Sequence, residues 1–188
     1  MPLPTPSKRE HVNTRTIKFM GYRREDGLWD IEAELTDSRP YSFPNRDRGR
    51  IEAGEPLHHM LLRLSVDRNL EIHDIAVSTD ASPFNYCPGI TETYQQLIGK
   101  QIAPGWVKMV KKLFAREKGC THITELLCAI GTPAIHTVFA SKNADENVET
   151  RKTFNPGLNT CHALAEDSPV VKIHWPDSYT PKEIPTHE

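Results

Sequence analysis

The sequence predicts an α+β fold: an antiparallel meander of about four strands, packed by C-terminal helices, in a single domain. Three observations support this. Residues 28–35 alternate, with Trp29, Ile31, Ala33 and Leu35 on one face and Asp30, Glu32 and Glu34 on the other. Short turns, Asp26-Gly27 and Asp67-Arg68-Asn69, join the strand-like segments, as antiparallel neighbours require. Beyond residue 104 the period changes: Trp106, Val107, Val110, Leu113 and Phe114 fall at helical spacing.

Taken in order, residues 1–13 carry prolines and charges and read as a flexible arm, and residues 14–20 as a first strand. Residues 28–35 follow as the second strand. Residues 39–56, rich in Pro, Arg, Asn and Gly, read as a loop. Residues 57–66 and 70–77 supply the third and fourth strands, the last with imperfect alternation. A short helix is expected over 90–98, after Cys87-Pro88-Gly89. The next starts near Pro104, a residue suited to a helix's first turn, and ends at Gly119. A longer helix over 121–139 should kink or split at Pro133. Residues 141–157 read as a polar loop, 170–175 as a last strand, and 181–188 as a loose tail. The domain itself is expected to span 14–180.

Composition narrows the function. The chain has 188 residues, 37% hydrophobic and 26% charged, with a formal net charge of −2. It lacks the basic excess of a nucleic-acid-binding protein, and no run reaches the ~18 apolar residues of a membrane span. The N-terminus has no apolar core of a secretory signal. Its four cysteines are widely spaced, without a Cys-x-x-Cys pair, and fit reduced thiols in a cytoplasm. A homodimer is the expected assembly.

The chemistry-bearing residues cluster in Gly119-Cys120-Thr121-His122-Ile123-Thr124-Glu125. His122 and Glu125 share one helix face. Cys120 stands just before the helix, where free N–H groups and the helix dipole favour negative charge. The three could ligate zinc or another divalent metal. Alternatively His122 acts as a base or acid oriented by Glu125. The plain reading is a surface pair on a helix capped by Thr121. In the third strand His58 shares the apolar face of Met60, Leu62, Leu64 and Val66, whereas His59 points the other way. The loop 80–88 brings Tyr86 and Cys87, and Cys161-His162 follows a polar stretch. Arg23 is a candidate grip for a carboxylate, against the plainer alternative of pairing with nearby acids. Cys128 reads as a small core residue.

The strings 22–32 (YRREDGLWDIE), 54–58 (GEPLH), Cys87-Pro88, 119–127 (GCTHITELL), 160–164 (TCHAL) and His174-Trp175-Pro176 together resemble the bacterial DUF2889 family, over roughly residues 14–180. The resemblance implies a role in catabolism of lignin-derived and related aromatics, including release of formaldehyde from a side-chain CH2OH group. On that footing the chain is expected to be a small cytoplasmic lyase with an aromatic substrate and no cofactor. His122 or His58 would be the base, with Glu125 beside it, and Tyr94 or Tyr86 the acid. Arg23 or Lys108 would anchor the substrate, with Cys120, Cys87 and His162 nearby. The absence of a glycine-rich dinucleotide motif agrees with a cofactor-free reaction. The rival expectations are a metal-dependent hydrolase or lyase built on Cys120, His122 and Glu125, with His58, Cys87 or Cys161 as further candidate ligands, and a non-catalytic binding protein or complex subunit.

Overall fold

The computed structural model describes residues 3–145 and 157–181. It is α+β. Strands β1 (Thr14–Arg23), β2 (Trp29–Ser38), β5 (Pro56–Val66) and β6 (Ile72–Ala81) form an antiparallel sheet in the order β1-β2-β5-β6. A small hairpin, β3 (Phe43–Asn45) and β4 (Gly49–Ile51), is inserted between β2 and β5. The meander is therefore as expected. The stretch 39–56 is not all loop: its Asn45-to-Gly49 turn, with Gly49 at φ 72, closes a hairpin.

The first hairpin turns at Asp26-Gly27, with Gly27 at φ 88. Arg24 locks this turn by pairing with Asp26 and Asp30, and Ser65 Oγ donates to Asp30 Oδ1 at 2.6 Å. On β2, Trp29, Ile31, Ala33 and Leu35 are buried, as the alternation requires. The imperfect pattern of β6 has a physical cause. Val66 pairs with Ile72 but Ser65 with Asp74, so β6 carries an extra residue. That bulge turns both Ile72 and Ile75 into the core.

Helices cover the apolar face of the sheet. A 3₁₀ helix, Cys87–Leu97, buries Tyr94 and Leu97. Helix α1 (Trp106–Phe114) buries Trp106, Val110 and Phe114. It starts at Trp106, two residues after Pro104, and Gly105 between them, at φ 93, makes the entry. Trp106 Nε1 donates to the Leu127 carbonyl at 2.7 Å, tying α1 to α2 (Thr121–Ala129). The expected long helix is split, into α2 and α3 (Gly131–Asp145). The break falls at Ile130, and Pro133 sits in the first turn of α3, where a missing N–H costs nothing. Helix α3 runs on through Asp145, past the loop start expected at 141; residues 146–156 lie outside the described residues. Thr137 of α3 packs onto β1 at Gly21, where an added Cβ would come within 1.9 Å of the Thr137 hydroxyl.

Gly119 is not the left-handed helix stop expected of it. A 3₁₀ turn (Arg116–Lys118) separates it from α1, and its backbone is extended. Its need is space: a Cβ there would meet the Phe114 carbonyl at 2.6 Å and the Tyr94 hydroxyl at 3.0 Å.

The chain divides into two compact units, 1–138 and 139–188. In the second, residues 170–175 are helical rather than a strand. Helix α4 (Pro169–His174) begins with Ser168 Oγ accepting from the Val171 N–H at 3.1 Å and has Pro169 at its first position. That Ser-Pro start is a helix signal that outweighs the β-branched Val170, Val171 and Ile173. The tail 182–188 lies outside the described residues. None of the described helices is long and apolar enough to cross a membrane.

Candidate functional site

The core face of the sheet ends in a polar row. Arg15 on β1, Asp37 on β2 and His58 on β5 stand opposite one another in register. Asp37 continues the stripe of Trp29, Ile31, Ala33 and Leu35, so it points inward and is only 5% exposed. A carboxylate there must be satisfied. Arg15 Nε and Nη2 donate to its two oxygens at 2.7 Å each, a bidentate clamp. The His58 ring Nδ1 lies 3.0 Å from Asp37 Oδ2. An ionised carboxylate only accepts, so this nitrogen carries the proton and His58 Nε2 keeps its lone pair.

His122, at the start of α2, comes down onto this row. Its ring centroid is 3.8 Å from that of His58, with the planes tilted by 33°. His122 Nε2 lies 3.6 Å from Asp37 Oδ2, and its Nδ1 lies 3.7 Å from Cys120 Sγ. Two imidazoles this close cannot both carry charge cheaply. Burial first, then the charges of His58 and Arg15, push the His122 pKa down to about 4, against the pull of Asp37. Burial likewise lowers His58, with Asp37 opposing. For Asp37, burial pushes up, but the hydrogen bonds and charge of Arg15, helped by His58, bring it below the usual carboxylate value. At neutral pH the site thus holds an ionised Asp37 and two neutral imidazoles.

A cavity of about 420 Å³ opens beside them, lined among others by His58, His122, Cys120, Cys87, Met60, Phe84, Tyr86 and Ile90. Its volume suits a small organic ligand. The loop over its mouth is held by the hairpin: the Asn85 N–H donates to Asp47 Oδ2 at 2.8 Å.

The residues singled out from the sequence separate into two groups. His58, His122, Cys120, Cys87 and Tyr86 all line this cavity, Tyr86 at its exposed rim. His59 faces the other side of the sheet and meets Glu34 at 2.8 Å. Glu125 does not orient His122; its carboxylate pairs with Arg15 Nη1 at 2.5 Å and is 41% exposed. Thr121 does not cap α2, because Cys120 occupies the cap position. Tyr94 is fully buried and does not line the cavity. Its hydroxyl accepts from the Cys120 N–H at 2.7 Å and donates to the Cys120 carbonyl at 3.3 Å. Burial, the largest influence on it, raises its pKa, so it stays a neutral phenol and a positioning group. Arg23 stands opposite Trp29, at the far end of the sheet from Asp37. Lys108 is exposed on α1 and does not line the cavity. His162 belongs to the second unit, where it is exposed at the start of a 3₁₀ turn. Cys128 packs against the core, where burial raises its thiol.

Sequence reasoning missed Asp37 and Arg15. Asp37 was within reach: it falls on the inward parity of β2, two residues past Leu35. Arg15 needed the register of β1 against β2.

Asp37, His58 and His122 each offer a donor atom, all within 4.8 Å of one another, and could hold a divalent metal. The trio expected from the sequence, Cys120, His122 and Glu125, does not converge, since Glu125 turns outward to Arg15. The family model for DUF2889, described as a protein of unknown function, matches residues 13–136. No curated protein and no solved structure matches.

Proposed function

The chain belongs to the DUF2889 family, and we propose that it is a cofactor-independent acid/base lyase acting on a small aromatic metabolite in the His58–His122 cavity. The substrate we infer is a lignin-derived or related aromatic with a side-chain CH2OH next to an aryl-bearing carbon and an oxygen substituent on the following carbon, and the products are formaldehyde, an alkene and the protonated leaving oxygen. One observation carries this reading: a neutral imidazole held by an ionised Asp37, facing a ligand-sized cavity, with a second neutral imidazole stacked on it. The apolar and aromatic walls, Met60, Phe84, Tyr86 and Ile90, suit an aryl group.

The chemistry follows from the proton inventory. His58 Nε2 takes the proton of the substrate hydroxyl, and Asp37 stabilises the imidazolium that forms. The C–O bond becomes C=O as the adjacent C–C bond breaks. The released electron pair forms a C=C bond conjugated with the aryl group and expels the oxygen on the next carbon. His58 returns its proton to that oxygen, with the Tyr86 phenol at the rim as an alternative donor. No electrons are gained or lost overall, so no redox cofactor is needed. His122 stays neutral and hydrogen-bonds a substrate oxygen. The four cysteines, all free thiols, support a reducing, cytoplasmic setting.

The test is direct. Purified protein incubated with aryl compounds carrying a CH2OH side chain should release formaldehyde in equal amount to the alkene product. His58→Ala and His122→Ala should each lower turnover by about 10²–10⁴-fold while the circular dichroism spectrum stays unchanged. Full activity in both would sink the assignment. Binding without any product would instead make this a non-catalytic binding protein.

A metal-dependent lyase or hydrolase is the second reading, favoured by the Asp37, His58 and His122 donors. Against it, Arg15 sets a fixed positive charge on both Asp37 oxygens, beside any bound cation. Elemental analysis separates the two: a stoichiometric metal supports the second reading, and full activity without one removes it.

A further inference from the structure

We propose that the cavity continues into a second subsite, an open groove beside it that takes a carboxylate arm of the ligand. The inference rests on the reading of the cavity as an aryl site, and it adds the charge of what the aryl group carries.

The groove, of about 510 Å³, lies among Ile90, Thr93, Lys112, Glu117 and Lys118. Ile90 and Glu117 line the cavity as well, so the two spaces meet along these residues. A ligand whose aryl end lies against Ile90 therefore reaches past Glu117 into the groove.

Charge decides what the far end is. No lysine or arginine lines the cavity itself, so an anionic substituent has to be held outside it. The chain carries a formal net charge of −2. Residues 108–118 nevertheless hold Lys108, Lys111, Lys112, Arg116 and Lys118 against Glu117 alone. Lys111 and Lys112 lie in the last turn of α1, where they suit the negative end of the helix dipole. That local role does not extend to Lys118, which follows in the separate 3₁₀ turn Arg116–Lys118. The turn holds Arg116 at φ 60, a left-handed conformation unfavourable for a residue with a side chain, and Lys118 comes to line the same groove as Lys112. Neither lysine side chain has an ion-pair partner among the described residues. Thr93 Oγ1 accepts from Gln96 Nε2 at 3.2 Å, which leaves its O–H to donate. Two lysines against one glutamate leave a single positive charge, matched by one carboxylate rather than by a doubly charged phosphate.

Isothermal titration of the intact protein with phenylbutyrate and with its methyl ester tests this. The two share the aryl group and its chain and differ in charge. The acid should bind about tenfold tighter than the ester, the worth of a hydrogen bond to a charged group. Added salt should shrink that preference, since both lysines are exposed. The double variant Lys112→Ala/Lys118→Ala should abolish it without weakening the ester. Lys111→Ala removes the same charge from the same helix turn but outside the groove, and should leave the preference within about twofold. If the double variant loses ester binding, the cavity itself has been damaged, and the wild-type preference and its salt dependence decide alone. Equal affinity for acid and ester, no binding of either, or a preference that survives an intact double variant overturns the proposal. Because binding needs no turnover, a preference for the acid without formaldehyde release sinks only the lyase reading. Release from aryl substrates without that preference sinks only this one.

Discussion

Two arginine–aspartate clusters sit at opposite ends of the same sheet, and they are built alike. In each, an arginine from β1 or its turn grips an aspartate on β2, and the β5 residue opposite that aspartate completes the group. At the hairpin end these are Arg24, Asp30 and Ser65. At the cavity end they are Arg15, Asp37 and His58. The differences are the β5 side chain and the face of the sheet. Ser65 has one hydroxyl, which it spends on Asp30 at 2.6 Å. His58 has two ring nitrogens, and after serving Asp37 it has one left over, on the face where α2 delivers His122. The same scaffold therefore closes a turn at one end and leaves a proton acceptor at the other.

The comparison should break most visibly with Asp37→Asn against Asp30→Asn. The first removes the charge that orients His58 and stabilises its imidazolium, so turnover should fall by about 10²-fold or more. It should also cost about 1–3 kcal/mol, since Arg15 and His58 lose a charged acceptor. Asp30→Asn should leave turnover unchanged. Formaldehyde release and denaturant midpoints measured on both variants check this; equal activity losses would erase the distinction.

Next in size is the response of the cavity cluster to pH. His122 has a folded pKa of about 4 against 6.5 unfolded. Between those values the unfolded chain binds the extra proton, so stability is full above pH 6.5 and falls as the pH drops toward 4. The loss from this group is at most about 3 kcal/mol, taken at about 1.4 kcal/mol per pKa unit. The lowered pKa of Asp37 acts in the same direction, its contribution fading as the pH falls through its folded value. His122→Ala should flatten the stability profile over that window, as seen in melting temperatures. The acid limb of activity should lie below the ordinary histidine value, because burial lowers the pKa of His58; an acid limb centred at 6.5 would contradict a buried neutral base.

The smallest effects separate the neighbours from the site. Glu125→Gln removes a half-exposed ion pair from an Arg15 that keeps its grip on Asp37. It should cost under about 1 kcal/mol and leave turnover within about twofold. Ser65→Ala should cost about 1 kcal/mol, the worth of one hydrogen bond, with no change in formaldehyde release.

How much of this was legible in the sequence depended on whether the signal was local. The four main strands and the inward face of His58 follow from periodicity within single segments, and the splitting of the long helix from Pro133, although the break itself falls at Ile130. Local spacing also put Cys120 and His122 together at the start of a helix, where the structure has them beside the cavity. Glu125 was misread because helical spacing shows which residues share a face, whereas a salt bridge to Arg15 depends on where β1 lies. Asp37 fell outside the strand expected over 28–35, whereas the strand runs on to Ser38. The bulge at β6 was visible only as broken alternation, and α4 was hidden by β-branched residues behind a capped proline start. The family match, by description a protein of unknown function, neither supplies nor excludes any of these roles.

The small hairpin gives the cavity a separate adjustment. Its turn holds the mouth loop through Asp47 and Asn85, while Arg48 pairs with Glu55 and donates to the Pro56 carbonyl at 2.9 Å, two residues before His58. One insertion thus braces both the mouth loop and the strand that carries His58. Changes in hairpin length would resize the opening while leaving the pairing of β2 with β5 intact. On the lyase reading proposed above, such changes would alter substrate range without touching the proton chemistry.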